Sequence, residues 1–281
     1  QWTWMSGSTT GYAPGVYGTL GVSAPGNVPG ARENAAAWTD KSGNLWLFGG
    51  WSGSGGLDDV WEFSTTSKQW TWISGSNTTN ELPVFGSLGV AATSNTPGAR
   101  TDEVIWSDNS GNVWMFGGSM DGDLFNDLWK YNLSQKEWTW VGGSNHMQGP
   151  GVYGTQGVPA ASNIPGARVD AVGWTDSSGD FWLLGGNGYT SAGGGGMPNE
   201  GALEDLWRFD PSSGQWTWMG GSAAVNKSAI YGTQGTPSES NTPGGLYSAT
   251  SWTDGNGNFW LFGGATLGLA PAPNVLWRYQ P

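Results

Sequence analysis

The residues that could do chemistry are few in this sequence, and they do not form a catalytic set. The 281-residue chain has one histidine, His146, and no cysteine, which excludes thiol nucleophiles, disulfides and cysteine-ligated zinc. A serine hydrolase needs a histidine that is oriented beside its serine by a third group. His146 lies in a Gly- and Ser-rich stretch without an evident partner. We therefore predict that the chain is not an enzyme and has no catalytic residues.

Carboxylates offer one candidate metal site. The stretch MDGDLFND places Asp121, Asp123 and Asn126 close together in the sequence, and oxygen atoms of this kind are the ligands that Ca²⁺ prefers. The spacing is not that of an EF-hand loop. A solvated loop is the simpler interpretation, so we predict no cofactor and keep Ca²⁺ at these three residues as the alternative.

The net charge of the chain excludes some classes of binding partner. Ten Lys and Arg residues against 22 Asp and Glu residues give a net charge of −12. Such a chain is repelled by nucleic-acid phosphates and by anionic membrane surfaces, and no apolar run is long enough to insert into a membrane. Acidity and polar Gly/Ser/Thr/Asn loops favour an extracellular or cell-surface protein, expected as a mature secreted chain without its signal peptide.

Internal repetition dominates the sequence. The tetrapeptides QWTW or EWTW begin at residues 1, 69, 137 and 215, and 20 of the 21 Trp residues recur at five equivalent positions in each of four units. Each unit contains short aromatic segments, an apolar run ended by two glycines, and Asp/Ser/Gly turn sequences. Such segments are typical of strands joined by tight turns. The sequence therefore predicts an all-β protein.

Four strands per unit in four units predict a four-bladed β-propeller of four-stranded antiparallel blades. In the first unit we expect strands near 31–39, 44–50, 57–64 and 69–74. A single domain would span 1–281, with blades at about 31–75, 99–144, 167–222 and 245–281 plus 1–7. The last unit lacks a fourth strand, so we expect the N-terminal strand, residues 1–7, to complete the C-terminal blade and remove two exposed sheet edges.

An apolar run that ends in Gly-Gly, followed by a W-x-[FY] strand and a Trp strand, resembles the kelch repeat. The double glycines are Gly49–Gly50, Gly117–Gly118, Gly185–Gly186 and Gly263–Gly264. The resemblance covers nearly the whole chain, although each unit is about twenty residues longer than a kelch unit. It also implies a comparison with copper radical oxidases similar to galactose oxidase. Those enzymes need several histidines and a cysteine-modified tyrosine, so their chemistry is excluded here.

Two charged positions vary together between the units. Three units carry Pro-Gly-Ala-Arg and an Asp before the third strand, whereas the fourth has Leu246 and Val275 at these positions. Loss of both charges in the same unit indicates that they pair. The expected pairs are Arg32 with Asp59, Arg100 with Asp127, and Arg168 with Asp205. We interpret them as structural ion pairs, and the alternative is a face of arginines that binds ligand carboxylates.

The loops suggest a binding face, because loops on a rigid scaffold commonly carry function. The variable loops after the second strands contain Trp51, Asp121, Asp123 and Tyr189. The connections before the first strands repeat one aromatic residue, namely Tyr17, Phe85, Tyr153 and Tyr231. We expect these four to pack as an ordered lid, and four sugar-stacking sites are the alternative.

Together these features predict a non-enzymatic extracellular propeller that acts through protein contacts as a structural or interaction module. Self-association into a surface polymer or filament is one form of this hypothesis, because the first strand could complete the last blade of a neighbour. The alternative function is a lectin-like carbohydrate-binding propeller that uses the repeated aromatic loops.

Overall fold

The structure is a computed structural model that describes residues 1–192, 198–266 and 273–281. Within those ranges the chain is all-β, as the sequence predicts, with twenty strands in six antiparallel sheets and no helix. Parts of two variable loops, 193–197 and 267–272, lie outside the described residues. No helix long and apolar enough to cross a membrane occurs in the part of the chain that is described.

The first two units form two four-stranded sheets. Sheet 1 consists of β1 (Ala36–Thr39), β2 (Leu45–Phe48), β3 (Val60–Ser64) and β4 (Gln69–Ser74), paired in that order. The second unit contains β5 (Val104–Ser107), β6 (Val113–Phe116), the short hairpin β7 (Ser119–Met120) and β8 (Asp123–Leu124), then β9 (Leu128–Asn132) and β10 (Glu137–Gly142). Sheet 2 is formed by β5, β6, β9 and β10.

The third unit repeats this plan, and the fourth repeats part of it. The third contains β11 (Arg168–Val169), β12 (Val172–Thr175), β13 (Phe181–Leu184), β14 (Asn187–Ala192), β15 (Pro198–Ala202), β16 (Leu206–Asp210) and β17 (Gln215–Gly220). Sheet 3 is formed by β12, β13, β16 and β17, and a small side sheet by β11, β14 and β15. Sheet 4 has three described strands, β18 (Thr250–Thr253), β19 (Phe259–Phe262) and β20 (Leu276–Tyr279).

The first turn of every sheet is held by an aspartate. In sheet 1, Asp40 Oδ1 accepts hydrogen bonds from the backbone N–H groups of Ser42 and Asn44, and Oδ2 accepts one from Trp46 Nε1 at 3.0 Å. The same tryptophan bond recurs in the other sheets, from Trp114 to Asp108, from Trp182 to Asp176 and from Trp260 to Asp254. These aspartates are therefore turn residues, as their fourfold repetition suggests.

Consecutive sheets pack face to face, and the apolar core lies between them in three clusters. Trp106 of sheet 2 stacks on Phe181 of sheet 3, with ring centroids 5.4 Å apart. Trp174 of sheet 3 stacks in the same way on Phe259 of sheet 4, at 5.1 Å. Sheets 2 and 3 thus each present one face to the preceding sheet and another to the following sheet.

The double glycines bring neighbouring sheets into backbone contact. Gly50 N donates a hydrogen bond to Arg100 O of sheet 2 at 3.0 Å, and Gly118 N and Gly186 N make the equivalent bonds to the next sheets. Gly49 has a φ of +65°, and a Cβ on it would lie 2.7 Å from Arg100 O. Only glycine permits this backbone conformation together with so close an approach.

Four residues with a left-handed backbone conformation lie in a row along one edge of the four sheets. Asn34, Asp102, Asp170 and Ser248 all have φ between 54° and 60°, which Asn and Asp tolerate better than most residues. Asp102 N, Asp170 N and Ser248 N each donate to the carbonyl of the preceding member, at 3.4, 3.1 and 2.9 Å. Among the described residues no such hydrogen bond joins Asn34 to sheet 4.

The predicted strand at residues 1–7 is absent. Trp2 and Trp4 are exposed, and the segment forms no described pairing with sheet 4. It lies beside sheet 1 instead, where Trp70 Nε1 donates to Ser6 Oγ at 3.3 Å. The physical reason is connectivity, because the segment leads directly into the connection that packs on sheet 1. The prediction that residues 1–7 complete sheet 4 of their own chain is therefore wrong.

Candidate functional site

The arginine of each Pro-Gly-Ala-Arg segment meets the aspartate that the sequence assigned to it. In sheet 2, Arg100 Nη1 lies 2.8 Å from Asp127 Oδ1, and Nη2 lies 3.1 Å from Oδ2. The equivalent bidentate contacts measure 2.6 and 2.8 Å between Arg32 and Asp59, and 2.7 and 2.8 Å between Arg168 and Asp205. All six side chains are buried or nearly so.

The buried pair in sheet 3 shows how fully these groups are satisfied. Asp205 Oδ2 also accepts hydrogen bonds from Trp207 Nε1 at 2.7 Å and from Tyr153 OH at 2.8 Å. Burial raises the pKa of Asp205, but the charge of Arg168 and these hydrogen bonds hold it below its ordinary value. Arg168 also donates to the carbonyls of Gly166 and Gly185. A pair committed in this way has a structural role and leaves no guanidinium face for a ligand carboxylate.

The repeated aromatic residues of the connections pack inside the protein. Tyr153 lies between Trp207 and Trp218, with centroid distances of 5.0 and 5.3 Å. Tyr17 packs equivalently on Trp61 and Trp72, and Phe85 on Trp129 and Trp140. Each of these three rings contacts two tryptophans, so it offers less free surface to a sugar than an exposed ring would. Tyr231 differs, because among the described residues its ring pairs only with that of Trp277, and its side chain is half exposed.

Two of the predicted contact residues, Trp51 and Asp121, line one cleft between sheets 1 and 2. This Trp51 cleft has a volume of about 360 Å³, and its walls also carry Glu33, Asn34 and Thr101. Trp51 is fixed through its backbone, since its N–H donates to Glu33 O at 2.8 Å and its carbonyl accepts from Glu33 N at 3.0 Å. The cleft combines an aromatic ring with carboxylate, amide and hydroxyl groups.

The other predicted contact residues lie outside this cleft. Asp123 Oδ1 accepts a hydrogen bond from Gln148 Nε2 at 2.7 Å. Tyr189 belongs to β14, where burial and the neighbouring Glu200 raise the pKa of its hydroxyl. The binding face expected from the variable loops is therefore divided between at least two surfaces.

The candidate Ca²⁺ ligands are not equally available. Asn126 is buried; its Nδ2 donates to Pro165 O at 3.2 Å, and its Oδ1 accepts from Ser144 N at 3.2 Å. This removes Asn126 from the set expected with Asp121 and Asp123. The described residues contain no group of three or more acidic or histidine side chains that could hold a metal ion.

Sequence reasoning missed one buried carboxyl group, that of Glu103. Both of its oxygens are shielded from solvent and make no hydrogen bond of normal geometry to any described residue. Burial raises the pKa of Glu103 to about 8. The equivalent positions in the other units are Ala35, Ala171 and Ala249. A single carboxylate at a position that is alanine in the other three units could have identified Glu103 from the sequence.

The imidazole of His146 has no hydrogen-bond partner within residues 1–192, 198–266 and 273–281. His146 is exposed in the connection after β10, where its backbone N–H donates to Ser144 Oγ at 3.0 Å. No protein-family model matches the chain, and no curated protein matches its sequence. The site is therefore interpreted from its residues alone.

We predict that the buried ion pair of sheet 2 is energetically coupled. Arg100→Leu or Asp127→Val alone should lower the free energy of unfolding by about 3–5 kcal/mol, because each leaves a buried unpaired charge. The double variant reproduces Leu246 and Val275 of the fourth unit. Its loss in free energy of unfolding should be clearly smaller than the sum of the two single losses. Urea denaturation measures all three, and additive losses would contradict the coupling.

A matched control for the buried pair is the exposed pair Arg208–Asp180, whose charged atoms lie 3.7 Å apart. Arg208→Leu should change the free energy of unfolding by about 1 kcal/mol or less.

We predict that Glu103→Ala stabilises the protein in a pH-dependent way. The folded chain keeps this proton up to about pH 8, whereas the unfolded chain releases it near pH 4.5. Wild-type stability should therefore fall as the pH rises through this window. The free energy of unfolding of the variant should exceed that of the wild type by about 2–5 kcal/mol at pH 9 and by much less at pH 4. Urea denaturation across pH, with the exposed Glu239→Ala as control, measures this, and a constant offset would refute it.

Proposed function

We propose that this chain is a kelch-type β-propeller module, non-enzymatic and extracellular, that acts through protein contacts and associates with itself. The observation that supports this proposal most directly is the apolar face of sheet 4 that points away from sheet 3. Large exposed apolar patches on a folded protein mark sites of contact with another molecule. We call this surface the open face of sheet 4.

The open face of sheet 4 is formed by Trp252, Phe262 and Leu276, which are 51%, 44% and 57% exposed. Their equivalents in sheet 3 are Trp174, Leu184 and Leu206, which pack into the interface with sheet 4 and are at most 9% exposed. The same residue positions thus form an interface in one sheet and an exposed surface in the next.

Sheet 1 presents a complementary surface at the opposite end of the row. Leu45 is 44% exposed, whereas its equivalents Val113 and Phe181 are buried against the preceding sheets. Each internal contact joins a face like that of sheet 4 to a face like that of sheet 1. A second copy of the chain therefore offers the type of surface that the first copy leaves exposed.

Two further features support the module's architecture and its lack of catalysis. The double-glycine contacts and stacked tryptophans recur between consecutive sheets, as expected when repeated blades follow one another. The charged side chains that are fully buried in the Arg–Asp pairs are engaged with one another, namely Asp59, Arg100, Asp127, Arg168 and Asp205. An extracellular setting is supported only by the acidic composition and the polar Gly/Ser/Thr/Asn loops.

We predict that the wild-type chain associates in solution through these faces. Light scattering coupled to size-exclusion chromatography should give a mass of at least twice the 29.5 kDa of one chain, increasing with protein concentration if association is weak. Trp252→Ser with Phe262→Ser should shift the protein to 29.5 kDa. The control Leu88→Ser alters an apolar residue that is equally exposed but lies in a connection, and should leave the mass unchanged. A wild-type monomer at the highest soluble concentration would overturn self-association.

The Trp51 cleft favours a second candidate function, carbohydrate binding. Sugar rings present apolar C–H faces and a rim of hydroxyls, so a site for them needs a flat apolar surface bordered by polar groups. Trp51 supplies the surface, and Glu33, Asn34, Thr101 and Asp121 supply the polar border. The sugar would then bind at Trp51, the one tryptophan outside the repeat pattern, and not at the repeated aromatic residues of the connections.

For this second candidate we predict that Trp51→Ala lowers binding to neutral oligosaccharides on a glycan array at least tenfold, because the stacking surface is lost. Leu88→Ala removes an exposed apolar side chain outside the cleft and serves as the control. Binding that is absent in the wild type, or unchanged in Trp51→Ala, would remove this candidate.

A further inference from the structure

Two equivalent backbone pairs form the walls of the Trp51 cleft. In the first unit Glu33 pairs antiparallel with Trp51, through hydrogen bonds of 2.8 and 3.0 Å between their main-chain atoms. In the second unit Thr101 pairs in the same way with Ser119, at 2.9 and 3.0 Å. All four residues line the cleft. Main-chain hydrogen bonds therefore hold both walls, and the side chains enter the cleft from fixed positions.

A tight hairpin adds a second carboxylate to the cleft. The strands β7 and β8 are joined by Asp121 and Gly122 alone, with φ of +51° and +90°. Positive φ at both residues of a two-residue loop is typical of a type I′ turn, for which Asp-Gly is a preferred sequence. The turn thus positions Asp121, which lines the cleft together with Glu33.

The carboxylates of Glu33 and Asp121 have no counter-charge in the described part of the chain. Both residues are exposed, and neither side chain takes part in an ion pair with a described residue. None of the residues that line the cleft is a lysine, arginine or histidine. The chain as a whole carries a net charge of −12. A cation is therefore attracted to the cleft, and an anion is repelled from it.

Comparison of the units separates the frame of the cleft from its chemistry. The pairs equivalent to Glu33 with Trp51 are Thr101 with Ser119, Val169 with Asn187, and Tyr247 with Ala265. None of these three pairs contains a carboxylate or a tryptophan. The backbone pairing thus belongs to the repeat, whereas the ring and the carboxylate of the first unit are not needed to form it.

A primary ammonium group matches the charged and aromatic residues of the cleft. An ammonium has three hydrogen-bond donors, and its hydrogen bonds to carboxylates are strengthened by both charges. A cation is also attracted to the face of a tryptophan ring. Sites for methylated ammonium groups use cages of aromatic rings, whereas Trp51 is the one aromatic residue among those that line the cleft. One ring with two hydrogen-bond-accepting carboxylates favours an unmethylated amine.

The remaining groups favour a sugar ring as the carrier of that amine. The cleft volume of about 360 Å³ lies in the range of small-molecule sites and exceeds the needs of an ammonium group alone. Asn34, Thr101 and Ser119 add neutral donors and acceptors, which suit the hydroxyl groups of a sugar. Trp51 offers an apolar surface to the C–H face of the ring.

We propose that the Trp51 cleft binds oligosaccharides of hexosamines whose amino groups are free. This rests on carbohydrate binding, the second candidate function, and names the class of sugar. The ammonium group binds Glu33 and Asp121, and the sugar ring stacks on Trp51. Acetylation of the amine removes its charge, and a uronic acid brings a charge of the wrong sign.

Isothermal titration calorimetry tests this proposal with two probes, a β-1,4-linked tetramer of glucosamine and the same tetramer fully N-acetylated. At about pH 6 the sugar amines are protonated and ordinary carboxylates are ionised. We expect the amino tetramer to bind at least tenfold more tightly. Raising the salt concentration from about 0.05 to about 0.5 M should weaken its binding and leave that of the N-acetylated tetramer unchanged. Equal affinities, or tighter binding of the N-acetylated form, overturn the proposal.

Two isosteric variants locate the ammonium group. Glu33→Gln and Asp121→Asn each remove one charge, and Asn tolerates the positive φ at residue 121. Each should weaken binding of the amino tetramer about fivefold without changing that of the N-acetylated tetramer, whereas a structural role would alter both. The matched control Glu239→Gln removes an exposed carboxylate outside the cleft and should change neither affinity. An equal loss in the control would show general charge attraction and refute the site.

Tetralysine separates the sugar from its charge. This peptide has a similar number of ammonium groups but no sugar ring, so it should bind at least tenfold more weakly than the amino tetramer. Equal binding would show that the cleft recognises positive charge alone and would overturn the assignment of a sugar.

The proposal and carbohydrate binding fail in different ways. If the chain binds neutral oligosaccharides but shows no preference for the amino tetramer, recognition of the amine is refuted and carbohydrate binding stands. If it binds neither tetramer and no oligosaccharide on the array, both are refuted.

Discussion

The buried carboxylate before the third strand is the interaction on which each of the first three sheets depends. Through Asp205, the arginine that precedes the first strand, the tryptophan of the third strand and the tyrosine of the incoming connection meet at one point. Removing two charges from water is costly, and hydrogen bonds to both partners offset this cost, although Arg100 Nε of the second pair makes none to a described residue. This requirement fixes how the connection from the previous sheet lies on the next one, and so it fixes the position of consecutive units.

Sheet 4 shows what is lost without that carboxylate. Leu246 and Val275 replace the charged pair, Trp277 Nε1 has no partner among the described residues, and Tyr231 stacks flat on Trp277 at 5.3 Å. An apolar replacement of a buried ion pair can be neutral for stability, but it binds the connection less specifically.

Repetition made much of this structure predictable. Comparison of the units identified the strands, the turn aspartates and the Arg–Asp pairs, because each appears several times and its absence from one unit is informative. The unpaired state of residues 1–7 was not predictable, because their sequence QWTWMSG matches the fourth strands of the other units. Glu103 and the Trp51 cleft were difficult to predict because they are not repeated. Each occurs once, so neither has a counterpart that would show what it does.

The double-glycine contacts have a consequence for how such a chain can change in length. Gly186 donates to Leu246 O as Gly50 donates to Arg100 O, so the contact between units is made by main-chain atoms and is indifferent to the side chain of the accepting residue. A duplicated or deleted unit would meet its new neighbour through the same bond without any compensating substitution. This architecture can therefore gain or lose whole units by genetic duplication, while the sequences of the units diverge freely in their loops.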